Sequence, residues 1–258
     1  MSTYNMVKEG GERTVLSEYI PDNNRYGTSE AYQSEAELEA SFIRQLTQQG
    51  YEYLKIHSEK DLISNLRRQL EALNGISFTD TEWGLFFKEC ISNANDGIWE
   101  KTRKIQQDYI QVLHREDGTT KNVYLLDKEH IHNNHLQVIN QYVEEGGHHD
   151  VRYDVTILVN GLPLVHVELK RRGMNIREAF NQINRYQRDS FWASSGLYQY
   201  VQIFVISNGT DTKYYSNTTR DSHIKETMVS GRRKSKKTSH SFEFTSHWAD
   251  GKNRNILD

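Results

Sequence analysis

The chain has 258 residues, a formal net charge of −3 and 36 % hydrophobic residues. That length suits one large domain or two small ones with a buried core, and no apolar run is long enough to span a bilayer. The acidic balance excludes the uniformly basic surface of a dedicated sequence-independent DNA binder; a lone cysteine, Cys90, excludes an intrachain disulfide. With no apolar segment of a secretory signal at the N-terminus, the cytoplasm is the expected compartment.

In chain order, residues 1–13 read as a polar arm, Val15–Ile20 as a short strand or hook, and Asn23–Thr28 as a loop. Ser34-Glu35-Ala36-Glu37 fits a capping box, so a helix opens there. Leu38, Phe42, Ile43 and Leu46 follow at helical spacing, and Gly50 ends the run. Residues 59–107 read as further helices, with one stripe at Leu62, Leu66, Leu70 and Leu73 and another at Trp83, Phe86, Phe87, Cys90 and Ile91. Both are expected to be core or subunit-facing surface, and Cys90 a packed small residue. Tyr109–His114 and Asn122–Leu126 flank Asp117-Gly118, a hairpin signal. Leu136–Val143 reads as a strand. His148-His149-Asp150 has metal-binding side chains, but adjacent histidines on a strand point apart, so a featureless loop is the competing reading. His130, His132 and His135 lack a CxxC pair.

Tyr153–Lys170 reads as a β-hairpin, β-branched and alternating on both arms, with Asn160-Gly161 at the turn. A three-residue loop, Asn160 to Leu162, sets Val159 against Pro163, Ile157 against Val165 and Val155 against Val167. The other face then carries Leu158 with Leu164, Thr156 with His166, and Asp154 with Glu168. Directly opposed carboxylates repel at about 5 Å between Cβ atoms. A divalent cation is the simplest reason for such a pair, since Mg²⁺ takes one or two carboxylates and completes its shell with water and phosphate oxygens. Lys170 lies two residues beyond Glu168, on the same face. The competing reading is an exposed face with scattered charges, and a one-residue slip would separate the pair.

After the hairpin come a basic patch at Arg171-Arg172, a helix from about Ile176 to Phe191 and a buried strand from Gln199 to Ser207. Gln182 and Tyr186 share one face of that helix. Lys213–Tyr215 returns after a turn. Arg220–Ser241 reads as a basic loop, with Arg232-Arg233-Lys234 and Lys236-Lys237; Phe242, Phe244 and Trp248 mark renewed order.

Asp154 followed by Glu168-Leu169-Lys170 resembles the PD-(D/E)xK nuclease motif, and Gln182-Ile183-Asn184-Arg185-Tyr186 resembles the Q-x-x-x-Y motif of its RecB-like branch. The run from Tyr153 to Thr219, with SEAELEASFIRQLTQQGYEYL near the start, resembles the N-terminal part of HsdR, the restriction (R) subunit of type I restriction-modification enzymes. The likeness covers most of residues 30–220. It implies an α/β fold with a PD-(D/E)xK restriction-endonuclease-like core, a mixed central β-sheet flanked by helices, and a helical insertion at about 59–107. The implied division is an arm at 1–30, an endonuclease domain at 31–219, and a basic loop leading to a motor region at 220–258.

The activity implied by the resemblance is Mg²⁺-dependent hydrolysis of DNA phosphodiester bonds in ATP-dependent restriction. Asp154, Glu168 and the Leu169 carbonyl would hold the cation. Lys170 would orient water or stabilise developing charge, and is not assigned as the proton acceptor. Glu39, eleven residues before Gly50-Tyr51, reproduces the family spacing of a third acidic residue. Glu35 is the substitute, and a solvated glutamate the competing reading. Gln182, Tyr186, Arg171 and Arg172 would position DNA. ATP, S-adenosylmethionine and the modification (M) and specificity (S) subunits follow from the resemblance alone, since this chain has no G-x-x-x-x-G-K-[ST] loop. Double-stranded DNA is the expected substrate and no membrane is expected. Two other readings are a different PD-(D/E)xK nuclease of repair or resolvase type, and a non-catalytic interaction module.

Overall fold

The computed structural model describes residues 6–10, 13–16, 34–144, 146–147, 150–218 and 240–249. Asn23–Thr28, His148-His149, Gly251-Lys252 and nearly all of the basic stretch from Arg220, including Arg232-Arg233-Lys234 and Lys236-Lys237, lie outside the described residues.

Strands β1 (Met6–Gly10) and β2 (Arg13–Leu16) pair antiparallel. Helix α1 (Glu35–Gln48) opens as its sequence dictates: the Ser34 hydroxyl accepts the Glu37 N–H at 3.2 Å, and the Glu37 carboxylate accepts the Ser34 N–H at 2.8 Å. A short strand β3 (Glu52–Tyr53) leads to α2 (Glu59–Asn74), α3 (Asp80–Phe86), a single π-helical turn at Phe87–Ile91, and α4 (Ile98–Gln106). Leu62, Leu66 and Leu70 of α2 are fully buried, as their four-residue spacing requires. Strands β4 (Ile110–His114) and β5 (Thr120–Tyr124) form the hairpin signalled by Asp117-Gly118 but stand as a sheet of their own. Then come β6 (Leu136–Glu144), β7 (Val151–Val159), β8 (Leu162–Leu169), α5 (Arg177–Asp189), β9 (Ile203–Ser207), β10 (Thr212–Ser216) and β11 (Ser246–His247).

The central sheet has the order β11-β10-β9-β8-β7-β6-β3. It is mixed: β3–β6 and β8–β9 are parallel, and the other pairings antiparallel. A parallel β8–β9 pair needs a crossover, and α5 occupies it. One face buries Val138, Val155, Val167 and Leu169 under Leu38 and Leu46 of α1. The opposite face packs Leu158, Phe204 and Ile206 in one core with α2 and with Ala179, Phe180, Ile183 and Tyr186 of α5. The molecule is therefore a mixed α/β layer structure, and β8, at the centre of the sheet, is covered on both sides.

The hairpin differs from its expected form at the turn. Asn160 and Gly161 have φ of 50° and 82°, so the loop has two residues in the left-handed region and Val159 pairs with Leu162. Leu158 pairs with Pro163 rather than Leu164. A register shift between Ile157 and Leu158 then restores Ile157–Val165, Thr156–His166 and Val155–Val167. The sequence pattern assigns the extra residue to the loop; the chain places it in β8 as a bulge, because Asn-Gly favours the tight turn. Gly161 is also required by packing, since a Cβ there would lie 2.6 Å from the Leu66 Cα.

Candidate active site

The β7–β8 ladder reaches Val155–Val167, and beyond it a side chain takes over. The Asp154 carboxylate accepts the Leu169 N–H at 2.9 Å, in place of a strand carbonyl. Glu168 follows Val167 on β8 and is fully buried. Its Oε1 receives Lys170 Nζ at 3.2 Å, while Oε2 has no hydrogen-bond partner. Lys170 leaves the strand at its end, anchored by its N–H on the Ser207 carbonyl at 2.8 Å. Asp154, Glu168 and Lys170, nominated from spacing, are thus gathered at the C-terminal end of β8.

Burial pushes both carboxyls well above the usual carboxylate range. For Asp154 the next cause is the like charge of Glu168, opposed by the Leu169 N–H and by Lys170. For Glu168 the ammonium of Lys170 opposes the burial, and Glu35 adds a further upward push. The pair therefore binds protons more tightly folded than unfolded, and stability must fall as pH rises from about 4, the ordinary carboxylate range, through the raised folded values. We expect Asp154→Asn to flatten this slope: in cation-free buffer its melting temperature should match the parent near pH 4 and exceed it near pH 8. Parallel melting-versus-pH curves would refute the charge crowding.

Sequence reasoning gave His166 no role, although strand alternation puts it on the same face as Glu168. The imidazole is fully buried, with Nε2 3.5 Å from Glu168 Oε2 and no hydrogen-bond partner on either nitrogen. Tyr153, Tyr186, Phe191, Tyr198 and Phe204 surround it. Burial lowers its pKa to about 4, so it is neutral at ordinary pH.

The helix glutamates part company. Glu39 accepts the Asn140 side-chain amide at 2.6 Å and that of Gln141 as well. Gln141 has φ of 52°, a strained value for a residue with a Cβ, so Glu39 tethers an irregular point in β6. Glu35, the substitute, accepts the Arg171 N–H at 3.2 Å, immediately after Lys170.

Gln182 donates its amide to the Tyr186 hydroxyl, which donates in turn to the Arg152 carbonyl at 3.1 Å. Burial raises the Tyr186 pKa first, and the nearby charges of Glu168 and Asp154 raise it further. Arg171 and Arg172 are exposed, and Arg172 donates to the Gly209 carbonyl at 3.3 Å.

Among the described residues, no three side chains of His, Cys, Asp and Glu converge as metal ligands. An oxygen-only pair with an unpartnered buried carboxylate oxygen fits Mg²⁺, which takes few protein ligands, better than it fits zinc. Cys90 is half-buried and its thiol is pushed up by burial, which fits the packed reading. No described helix is long and apolar enough to cross a membrane.

Comparison with known proteins defines the class. The model of the family "Type I restriction enzyme R protein N terminus" matches residues 32–223. The chain belongs to this family. It is 45 % identical over 253 residues to the type I restriction enzyme EcoprrI endonuclease subunit of Escherichia coli, covering 98 % of this chain and 74 % of that protein. The SsaAORF53P endonuclease subunit of Staphylococcus saprophyticus is 42 % identical over 192 residues, 72 % of this chain and 20 % of that protein. The putative MjaIXP endonuclease subunit of Methanocaldococcus jannaschii is 28 % identical over 203 residues, 70 % of this chain and 19 % of its own length. The chain thus spans most of one relative and about a fifth of the other two.

Proposed function

We propose that this chain carries the DNA-cleaving site of a type I restriction enzyme R subunit, on a PD-(D/E)xK fold. The observation that carries the reading is half-buried Asp154 beside fully buried Glu168, whose Oε1 takes Lys170 and whose Oε2 accepts no hydrogen bond. Two crowded carboxyls at a strand end are a poor structural element, because burial disfavours both charges and the charge of Glu168 disfavours that of Asp154 further. They are a good divalent-cation site for the same reason.

Asp154, Glu168 and the Leu169 carbonyl would hold Mg²⁺. When bound, the cation supplies charge that polarises a phosphodiester and lowers the pKa of a water. The chain's own residues do the rest. Lys170 places a positive charge beside the pair, where it stabilises negative charge developing on phosphate oxygens. Gln182 and Tyr186 fix the start of β7 and present a polar edge to a DNA strand, with Arg171 and Arg172 as a basic margin. ATP-driven movement, S-adenosylmethionine, assembly with M and S subunits and a cytoplasmic setting belong to the whole enzyme and come with the family.

Cation binding tests the site without relying on turnover. With Mg²⁺ at about ten times Kd, linkage gives ~1.4 kcal/mol of stabilisation, a rise of about 4 °C in melting temperature. The rise should vanish in Asp154→Asn and in Glu168→Gln; an equal rise in either would remove that carboxylate from the site. Glu35→Ala and Glu39→Ala separate the helix glutamates. The site glutamate should lower DNA cleavage at unchanged melting temperature, whereas loss of a tether on Gln141 should lower the melting temperature.

A further inference from the structure

The wall of the site beyond Tyr186 holds two cations that nothing above uses. Arg152 of β7 and Arg185 of α5 line a cleft of about 400 Å³ with Gln182, Tyr186 and Asp189. Asp189, the carboxylate in that wall, is engaged by Arg188 through two parallel bonds of 2.7 Å. Arg152 and Arg185 are exposed, and neither forms an ion pair with a described residue. The cleft is thus a local positive site on a chain of net charge −3.

We propose that Arg152 and Arg185 grip one backbone phosphate of the DNA strand beside the carboxylate pair, a proposal that rests on the nuclease reading. Arg152 lies two residues before Asp154, about 7 Å along the strand. Its backbone is fixed by the Tyr186 hydroxyl on its carbonyl, so a phosphate held there has a set register against Asp154. Tyr186 links the two places from the other side: its phenol feels the charges of Glu168 and Asp154 and also that of Arg185. Two guanidiniums converging on one cleft suit a phosphate, which accepts bidentate bonds from each. Arg185 lies inside the Gln182–Tyr186 motif stretch, but Arg152, 33 positions earlier, lies in no motif, so spacing alone does not pair them.

The test uses the chain itself with a fluorescent 20-base-pair duplex in Ca²⁺, measured by anisotropy over a salt series, beside Mg²⁺-dependent cleavage. Each lost phosphate contact lowers the salt slope by about 0.9 and affinity about eightfold at ~0.1 M salt. The double alanine variant should show that whole loss, and Arg152→Ala and Arg185→Ala each a part of it, raising KM for cleavage while leaving kcat unchanged. Arg152→Lys and Arg185→Lys should keep most of the slope. Melting curves that match the parent exclude misfolding. Unchanged affinity and slope in the double alanine variant, with Mg²⁺-dependent cleavage intact in the parent, would overturn this proposal and spare the nuclease reading. Absence of both DNA binding and cleavage in the parent would overturn the two together.

Discussion

Lys170→Ala should lower DNA cleavage by about 10²- to 10³-fold while leaving Mg²⁺ binding in place, the size of effect seen when one preorganised electrostatic group is removed from a site. The ammonium is 3.2 Å from Glu168 Oε1 and only 12 % exposed, so water cannot substitute for it at full strength. It holds no strand in register; its own N–H does that, through Ser207, and survives the substitution. Removing the ammonium leaves buried Glu168 and half-buried Asp154 without the positive charge of Lys170, so in cation-free buffer they should take up protons at still higher pH. Lys170→Arg should recover little, because a planar guanidinium does not occupy the place of a compact ammonium. Single-turnover cleavage with a Mg²⁺ titration checks this. Undiminished cleavage in Lys170→Ala would remove Lys170 from the chemistry.

Gly161→Ala should cost about 2–5 kcal/mol of stability, several degrees in melting temperature. Two independent penalties meet there. The residue needs φ of 82°, and its Cβ would stand 2.6 Å from the backbone of Leu66 in α2. That contact cannot be relieved by a rotamer change, because the obstructing atom is a Cα in a helix whose Leu62, Leu66 and Leu70 are fully buried. The neighbour Asn160 is also committed: its side chain donates to the Leu125 carbonyl at 3.1 Å and accepts the His135 N–H at 2.8 Å. Asn160→Gly should be milder on backbone grounds and costly only through those lost bonds. Thermal unfolding decides, and a loss in Gly161→Ala below ~0.5 kcal/mol would mean that the hairpin can shift off α2.

These two residues show what a sequence discloses. Strand alternation placed Val155 opposite Val167 and Thr156 opposite His166, because two covered faces penalise a slip. The same alternation placed the bulge in the loop, since period-two patterning is blind to which arm carries one extra residue. Asp154, Glu168 and Lys170 were legible because their spacing is set by one local element. The β4–β5 hairpin was legible for the same reason, but its separation from the main sheet was not, being decided by distant packing. His166 has a place in the hairpin pattern but no role there, because a histidine on a strand has many ordinary meanings; only its burial without a hydrogen-bond partner, 3.5 Å from Glu168, singles it out. The choice between Glu35 and Glu39, one helical turn apart, depends on how α1 lies across the sheet, which no spacing within α1 contains.

Nicking of supercoiled plasmid by the chain, followed across a Mg²⁺ titration beside Asp154→Ala and Lys170→Ala, tests the nuclease site most directly. The account predicts nicking that needs Mg²⁺ and is lost in both variants although both retain the parent's circular dichroism. Nicking that persists at the parent's rate in Asp154→Ala, or that is indifferent to Mg²⁺, would contradict it.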